Sequence, residues 1–393
     1  MAQLECQRHL FDLPNDTHFL NAAYMTPLLH AAREAGIEGL DAKRQPWHLT
    51  VLDFFEPAQR IRKQFARLIG VPDWERVAIV PAASYGLSTV AHNVMLRSGQ
   101  TVVGVGEQFP SNVYPWKRLC EESEATLQLI PAGPRANERI LDAITPATAL
   151  VAMPHVHWAT GAVYNLQRIG KRAREVGTMV VIDGTQSIGA LPFDARSVGA
   201  DAVVCAGYKW LMGPYSVGVA YLGPAFDEGI PLEENWIGRK DSDQFGGLVD
   251  YQPAYGPGAV RYDVGERSNF ALLPVLEAGL EHVLAWQPKR IQSYVDTLFT
   301  PARLDRLAEL GCHIAPRSQR AAHLFGIGLP EHTSPADVAG KLRERNVHVS
   351  VRGRSLRVSP HVYNTPADVD ALIDALSAHL TMNLPSRAAE ARL

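Results

Sequence analysis

The chain has 393 residues, of which 46% are hydrophobic and 20% charged, and its formal net charge is −3. This length predicts a large domain accompanied by a smaller one. The near-neutral charge excludes a broad basic surface for nucleic acid or an anionic membrane. No apolar run reaches the roughly 18 residues of a membrane-spanning helix, and no secretory leader is visible. Four cysteines without a CxxC spacing indicate neither a zinc site nor a disulfide framework, so we expect a reduced, cytoplasmic protein.

Short apolar runs alternate with helical patterns over the first half of the chain, as in the helix-like segment 166–177. The predicted strands are 77–81, 101–106, 125–131, 149–156, 179–183, 202–207 and 217–223. Continuous apolar strands separated by helices are typical of a mainly parallel sheet that is covered on both faces. Only a short turn joins the last two runs, so antiparallel pairing is open to them.

The second half begins with a long segment, 224–265, that is rich in Gly, Pro, Tyr and Trp, and loops of this length are usually functional. A helical region follows at about 270–310, and the remainder predicts a small α+β unit. Its helices begin near Ser334 and Thr365, each followed by Pro and by Asp three residues on. Its candidate strands are 323–330, 347–351 and 355–360. The last ten residues are predicted to be frayed.

Ligands of open α/β sheets bind beyond the carboxyl ends of the strands, and candidate residues stand there. Ala83 and Ser84 follow the first strand and precede a helix, where backbone N–H groups suit a phosphate; alternatively Ser84 only caps that helix. Phe109 is suited to stack on a flat ring or to pack in the core. His157 and Trp158 either line a pocket or form an ordinary turn.

Asp183 and Lys209 each end a strand that should be buried. An unpartnered buried carboxylate is costly, so Asp183 calls for a cation or several donors, although Asp before Gly is also a common turn pair. A desolvated Lys209 between two aromatic residues is a nucleophile for carbonyls, forming a Schiff base; the alternative is a lysine that extends to solvent at the sheet rim. Gln186 can donate or accept a hydrogen bond nearby.

One ligand satisfies all of these positions. Pyridoxal phosphate (PLP) carries a phosphate for the helix N-terminus, a flat ring for Phe109, an aldehyde for Lys209, and a ring nitrogen that Asp183 would keep protonated. In this interpretation Gln186 bonds the ring's phenolic oxygen, and Tyr208 donates to the phosphate. A nucleotide-binding dehydrogenase is disfavoured because no GxGxxG motif opens a helix.

The chain resembles the class V aminotransferases of PLP fold type I, a group with cysteine desulfurases, kynureninases and isopenicillin N epimerase-like proteins. The resemblance extends from 19–28 to 356–376 and is most specific in VVIDGTQSIGALPFD and DAVVCAGYKWLMGP. It implies a large domain at 31–285 with a seven-stranded, mainly parallel sheet, a small α+β domain at 286–393, and an N-terminal segment, 1–30, near the active site and small domain. By this resemblance Asp183 pairs with the pyridine nitrogen and Gln186 contacts the ring oxygen. Lys209 holds the cofactor and Phe109 stacks on its ring. By the same resemblance, Ala83 and Ser84 bind the cofactor's phosphate.

The resemblance also implies a substrate and a partner. Arg357 matches the arginine that binds the α-carboxylate of an amino acid, with Arg352 and Arg354 as neighbouring competitors, and His157 and Trp158 match a turn on the substrate side. Bidentate guanidinium recognition suits a carboxylate. The family forms homodimers with the active site at the interface, where the loop 236–269, with Ser268 and Asn269, would reach the partner's cofactor phosphate.

One difference from the desulfurases narrows the range of expected reactions. Desulfurases carry a persulfide-forming cysteine shortly before the carboxylate arginine, whereas this chain reads SVRGRSLRVSP there. We therefore expect an aminotransferase or a β-eliminating C–S lyase acting through Lys209, and not a desulfurase. An amino-acid epimerase and a non-catalytic PLP-binding protein remain alternatives.

Overall fold

The computed structural model describes residues 3–380, so the predicted fraying of the last ten residues lies outside the described part of the chain. The α-helices, numbered α1 to α12 in chain order, are His30–Ala42, Val51–Leu68, Ala83–His92, Tyr114–Glu122, Ala136–Ala143, Leu166–Val176, Ala195–Val198, Leu272–Trp286, Pro288–Leu298, Pro301–Glu309, Pro335–Glu344 and Pro366–Leu380. The strands, β1 to β13, are His18–Phe19, Val77–Val80, Thr101–Val105, Thr126–Ile130, Thr148–Pro154, Met179–Asp183, Ala202–Ala206, Gly218–Leu222, His313–Ile314, Phe325–Gly328, Val347–His348, Ser350–Arg352 and Ser355–Val358.

The chain divides into two compact units. The larger contains 28–158 and 162–288, and the smaller contains, among the described residues, 3–27, 159–161 and 289–380. No helix within residues 3–380 is long and apolar enough to cross a membrane.

The larger unit is built on a seven-stranded sheet in the order β2-β8-β7-β6-β5-β3-β4. All seven predicted strands are present, and the α/β fold with a mainly parallel sheet is confirmed. Strands β7, β6, β5, β3 and β4 pair in parallel, whereas β8 is antiparallel to both β7 and β2. The short turn between β7 and β8 leaves no room for a helical crossover, so the second strand has to return antiparallel.

The central strands are buried on both faces, as their continuous apolar runs predict. β6, β7 and β8 carry almost no polar side chain before their ends, and apolar clusters lie on each side of the sheet. β4, at one edge, has exposed positions and a Thr and a Gln within it. The ends of the central strands are therefore anchored in a close-packed interior.

The predicted helical region at 270–310 is three helices, α8, α9 and α10. α9 and α10 each begin at a proline, Pro288 and Pro301. Proline is favoured in the first turn of a helix and unfavourable inside one, so each residue starts a new helix.

The smaller unit contains a four-stranded antiparallel sheet in the order β12-β13-β10-β9 and a short parallel pair, β1 with β11. The hydroxyl of Ser334 caps α11 by accepting from the backbone N–H of Asp337, as the sequence predicts. At the start of α12 the roles are reversed, because the carboxylate of Asp368 accepts from the backbone N–H of Thr365 at 2.7 Å.

Residues 224–265 contain only short 3-10 turns and no α-helix or strand. Within this loop Tyr255 packs against two arginines. The centre of its ring lies 4.1 Å from the guanidinium of Arg239 and 4.8 Å from that of Arg261. The Tyr255 hydroxyl also donates to Glu234 at 2.9 Å. This stacking gives an ordered base to a loop that lacks regular secondary structure.

Candidate active site

A cavity of about 270 Å³ lies at the carboxyl edge of the large sheet. Its lining includes most of the residues that the sequence singles out, namely Ala83, Ser84, Phe109, Trp158, Asp183, Gln186, Tyr208 and Lys209. They follow β2, β3, β5, β6 and β7, whose carboxyl ends share one edge of the sheet. Segments more than 100 residues apart in sequence are thus brought to one site.

Asp183 is the last residue of β6 and is paired with Val204 of β7. Its carboxylate is buried and accepts the backbone N–H of Thr185 at 3.0 Å. Burial raises the pKa of Asp183, and the hydrogen bonds of Thr185 and the positive charge of Lys209 act in the opposite direction. A cation placed beside this carboxylate would stabilise its charged form.

Lys209 is 7% exposed and lies in the turn that joins β7 to β8. The turn is closed by hydrogen bonds from Gly207 N to the Val217 carbonyl, 2.9 Å, and from Met212 N to the Lys209 carbonyl, 3.1 Å. The Nζ atom lies 5.6 Å from the ring centre of Phe109 and 5.3 Å from that of Tyr208. The amine is therefore held among aromatic rings within the cavity.

The segment that follows Asp183 packs closely on the turn that carries Lys209. Gly189 has φ +102°, and a Cβ built there would lie 2.2 Å from the carbonyl oxygen of Trp210. The indole N–H of Trp210 also donates to Oε1 of Gln186 at 3.0 Å. This bond fixes which end of the amide is the donor end, and it leaves the Gln186 NH₂ as the group with protons to offer.

Phe109 is held by Trp158. Their rings pack edge to face, 5.5 Å between centres at an angle of 79°. The indole N–H of Trp158 donates to the carbonyl of Glu107 at 2.8 Å, and Glu107 has a left-handed backbone with φ +54°. Residues other than Gly rarely adopt that backbone conformation. The Trp158 bond therefore stabilises the turn that presents Phe109.

Ser84 does not cap the helix that follows β2. α3 begins at Ala83, and its N-cap is Ala82, which makes no side-chain cap bond. Ser84 lies in the first turn with its side chain exposed at the cavity. The N–H groups and the positive dipole end of this ten-residue helix are suited to a phosphate.

Three predicted residues of the larger unit are not in the cavity lining. His157 is fully buried, and burial lowers its pKa; its backbone N–H donates to the Ala162 carbonyl at 2.8 Å. The Ser268 hydroxyl donates to the carbonyl of Phe54. The amide oxygen of Asn269 accepts the N–H of Leu272 at the start of α8, 2.9 Å. Within residues 3–380, the side chains of Ser268 and Asn269 are thus bonded to the backbone, and His157 lies in the interior.

Arg357 belongs to the smaller unit. It lies on β13 between Gly326 of β10 and Ser350 of β12, and it is 1% exposed. Its competitors differ in placement, because Arg354 is exposed in the turn and Arg352 is half-buried. A buried guanidinium in a sheet is the most constrained of the three.

Sequence reasoning missed several residues that line the cavity: Gln108, Ser111, Thr185, Tyr215 and Ser216. Thr185 stands inside the DGTQ motif, between Asp183 and Gln186, so the motif already contained a signal for this residue. Tyr215 packs on Tyr208 with ring centres 4.7 Å apart. No local pattern distinguishes Tyr215 from a surface tyrosine.

The family model for aminotransferase class V matches residues 46–372. The chain belongs to this family. Members of it are PLP-dependent enzymes, and the cavity described above lies within the matched region. The predicted membership of this family is therefore confirmed, and the chain is a PLP-dependent enzyme.

The chain is similar to enzymes with several named activities. An uncharacterized aminotransferase, YcbU, of Bacillus subtilis is 27% identical over 82% of this chain and 84% of its own length. A probable cysteine desulfurase of Methanothermobacter thermautotrophicus is 26% identical over 93% and 96%. The solved cystine C–S lyase C-DES, in complex with its product cysteine persulfide, covers 92% of this chain and 98% of its own with a TM-score of 0.82 at 18% identity. This last likeness concerns the fold.

The cavity residues fit PLP. A buried carboxylate with a raised pKa stands at one strand end, a buried amine at the next, and a helix N-terminus completes the wall. The carboxylate gains from a protonated ring nitrogen, the amine from an aldehyde, and the helix N-terminus from a phosphate.

Proposed function

We propose that this enzyme acts on an α-amino acid as an aminotransferase or as a β-eliminating C–S lyase, with Lys209 as its catalytic residue. The observation that carries the proposal is the meeting of Asp183 and Lys209 in one cavity. They follow neighbouring strands, β6 and β7, and face a space lined by Phe109 and by the start of α3.

When bound, PLP supplies an aldehyde that takes up an amine and a ring that stabilises negative charge at the amino acid's Cα. Asp183 would hold the proton on the ring nitrogen, and Phe109 would pack on the ring. The N–H groups at the start of α3, with Ser84 and Tyr208, would bind the phosphate. The Gln186 NH₂ would donate to the ring oxygen.

Lys209 has two tasks. Its Nζ would hold the cofactor through the aldehyde, and the same amine would serve as the base that takes up the proton from the substrate's Cα. Arg357 is the proposed partner of the substrate's carboxylate, and Trp158 stays a proposed substrate-side residue. His157, being fully buried, would act only by supporting the backbone beside Trp158.

A persulfide-forming desulfurase is disfavoured by the placement of the cysteines. The segment before Arg357 is a hairpin in which only Gly353 and Arg354 separate β12 from β13, so it has no loop that could carry a reactive thiol. Cys120, Cys205 and Cys312 are buried, and burial raises the pKa of each, which disfavours the thiolate. Cys6 is half-buried, with Sγ 3.8 Å from two backbone carbonyls.

The lyase arm is supported by similarity of fold to the cystine C–S lyase, and the aminotransferase arm by the family and by the Bacillus relative. The homodimer, the reach of Ser268 and Asn269 into a partner's site, and the cytoplasmic location stay predictions.

An absorption spectrum tests the cofactor site. The purified full-length protein with added PLP should show a band in the visible or near ultraviolet that is lost in Lys209→Ala, because the alanine cannot bond the aldehyde. Lys240→Ala, an exposed lysine of the long loop, serves as a control and should keep the band. A band that persists unchanged in Lys209→Ala would exclude Lys209 as the attachment point.

A panel of amino acids then distinguishes the reactions. Formation of a keto acid together with pyridoxamine phosphate indicates transamination, and release of pyruvate with a thiol or ammonia indicates elimination. A change in optical rotation alone indicates epimerisation and would overturn the proposal, as would persulfide or alanine formed from cysteine. A protein that binds PLP and converts no amino acid would support a non-catalytic role.

A further inference from the structure

Thr185 lies between the two proposed catalytic groups. It is the second residue after β6, and its side chain lines the cavity while remaining 8% exposed. Its Oγ1 accepts a hydrogen bond from the backbone N–H of Ala206 at 3.2 Å. A backbone N–H can only donate, so the hydroxyl must be the acceptor there and its proton is directed to another group.

That other group is the carboxylate of Asp183, which receives hydrogen bonds from both the side chain and the backbone N–H of Thr185. The direction of donation is therefore fixed from Ala206 N–H to the Thr185 hydroxyl and on to Asp183. Because a hydrogen bond to a charged acceptor is about twice as strong as one between neutral groups, the carboxylate gains both orientation and charge stabilisation.

The same hydroxyl joins two strands beyond the end of their ladder. Pairing of β6 with β7 ends at Asp183 and Val204, and the last backbone bond runs from Gly184 N to the Val204 carbonyl, 2.8 Å. The Thr185 hydroxyl continues the link to Ala206, which is three residues before Lys209. One side chain thus couples the position of the acid to the strand that carries the amine.

We propose that Thr185 is a positioning residue that orients the Asp183 carboxylate and keeps it ionised opposite the ring nitrogen of PLP. The inference rests on the proposed function, since it assumes that Asp183 meets that nitrogen. It concerns a group that supports the cofactor's acid partner and does not itself react.

The test compares Thr185→Val, which keeps the shape and removes the hydroxyl, with Thr185→Ser, which keeps the hydroxyl. For Thr185→Val we expect PLP to bind roughly 10- to 100-fold more weakly, the effect of removing a hydrogen bond to a charged group. We also expect the midpoint of the pH-dependent change in the cofactor's absorption to rise by about one unit, because a more basic carboxylate draws the proton from the ring nitrogen. Thr185→Ser should restore the affinity to within about threefold of the natural protein and the midpoint to within about half a unit.

Thr178→Val is the matched control. Thr178 is also buried, and its hydroxyl bridges to the Thr148 carbonyl at 2.6 Å between β5 and β6, at the opposite end of the sheet. It should lower thermal stability without moving the pH midpoint. If Thr185→Val fails to fold, Thr185→Ala replaces it in the same comparison with Thr185→Ser.

The inference is overturned if the hydroxyl-free variant matches the natural protein in PLP affinity and pH midpoint, or if Thr185→Ser shows the same defect as Thr185→Val. Failure of the proposed function would give a different result, because the natural protein itself would then show no absorption band that depends on Lys209. The two outcomes are read from different samples and cannot be confused.

Discussion

Two buried aspartates of the larger unit differ in how their charge is balanced. Asp263 is fully buried and lies between Arg62 and Arg267, while its second oxygen accepts the backbone N–H of Ile79 at 2.8 Å. Asp183 is buried to a similar degree, but the groups bonded to it are the neutral N–H and hydroxyl of Thr185. One carboxylate has two cations from the protein, and the other faces a cavity.

The difference distinguishes an acid with a structural role, Asp263, from one with a proposed role in the active site, Asp183. A buried charge matched within the protein fixes the local structure, and removing one partner leaves the others uncompensated. A buried acid that is held by neutral donors beside a cavity has its orientation fixed and its counter-charge left to a ligand. Burial alone therefore does not identify the functional residue; the nature of the bonded partners does.

The largest effect is expected for Asp183→Asn. Amide replacement keeps the shape and removes the charge that is proposed to hold the ring nitrogen's proton, so turnover of any active amino acid should fall roughly 100- to 1000-fold. Steady-state kinetics with saturating PLP would measure this. The fold should be retained, and activity above a tenth of the natural value would show that Asp183 is not the acid partner.

Asp263→Asn should instead affect stability. Leaving Arg62 and Arg267 without their shared carboxylate should lower the free energy of unfolding by about 3–5 kcal/mol, as for other broken buried ion pairs. Urea unfolding followed by circular dichroism would measure it. The control is Asp227→Asn, since the Asp227 carboxylate is 47% exposed beside Arg76, and such a pair contributes about 0–1 kcal/mol. Equal losses in the two variants would contradict the comparison.

The pH dependence of stability should distinguish Asp183 further. Burial raises the pKa of Asp183 in the folded protein above its ordinary value. As pH rises from about 4 to the folded pKa, the unfolded chain releases this proton first, so the cofactor-free protein loses stability. Asp183→Asn lacks that loss and should melt higher than the natural protein at pH 7, with the difference vanishing near pH 4. A difference that is independent of pH would contradict this assignment.

The smallest effect is expected at Trp158. Trp158→Phe removes the N–H donated to Glu107 and retains an aromatic ring against Phe109, so PLP affinity should fall roughly threefold. Trp158→Ala removes both and should cost roughly tenfold or more. Trp47→Phe, at a residue that is 74% exposed, is the control. PLP titration measures all three, and equal affinities would show that Phe109 is positioned without Trp158.

The sheet was predictable because its central strands are continuous apolar runs. The site followed from the same rule, since Asp183 and Lys209 end runs that have to be buried. The helix boundaries at Pro288 and Pro301 were also readable from local chemistry, although the sequence analysis treated 270–310 as a single region.

Other features depend on partners that are distant in sequence. The run 347–351 was predicted as one strand, but β11 pairs with β1 whereas β12 pairs with β13, so the chain changes sheets within it. The role of Thr185 depends on Ala206, a neighbour only after β6 and β7 have paired. The bond of Trp158 to Glu107 requires a left-handed residue that no sequence pattern demands. Apolar periodicity locates strands, but it does not determine which hydroxyl or indole meets which carbonyl.

The antiparallel strand β8 sets the dimensions of the ligand. β2 is antiparallel to β8 and β8 to β7, so two reversals return β2 to the direction of β7 and place the start of α3 on the same edge as Lys209. The strand inserted between them keeps these two anchors about two strand spacings apart, roughly 10 Å before side chains reach inward. A free phosphate or a small aldehyde can contact only one of them. The spacing of the strands thus favours a ligand that is long enough to place a phosphate at the start of α3 and an aldehyde at Lys209.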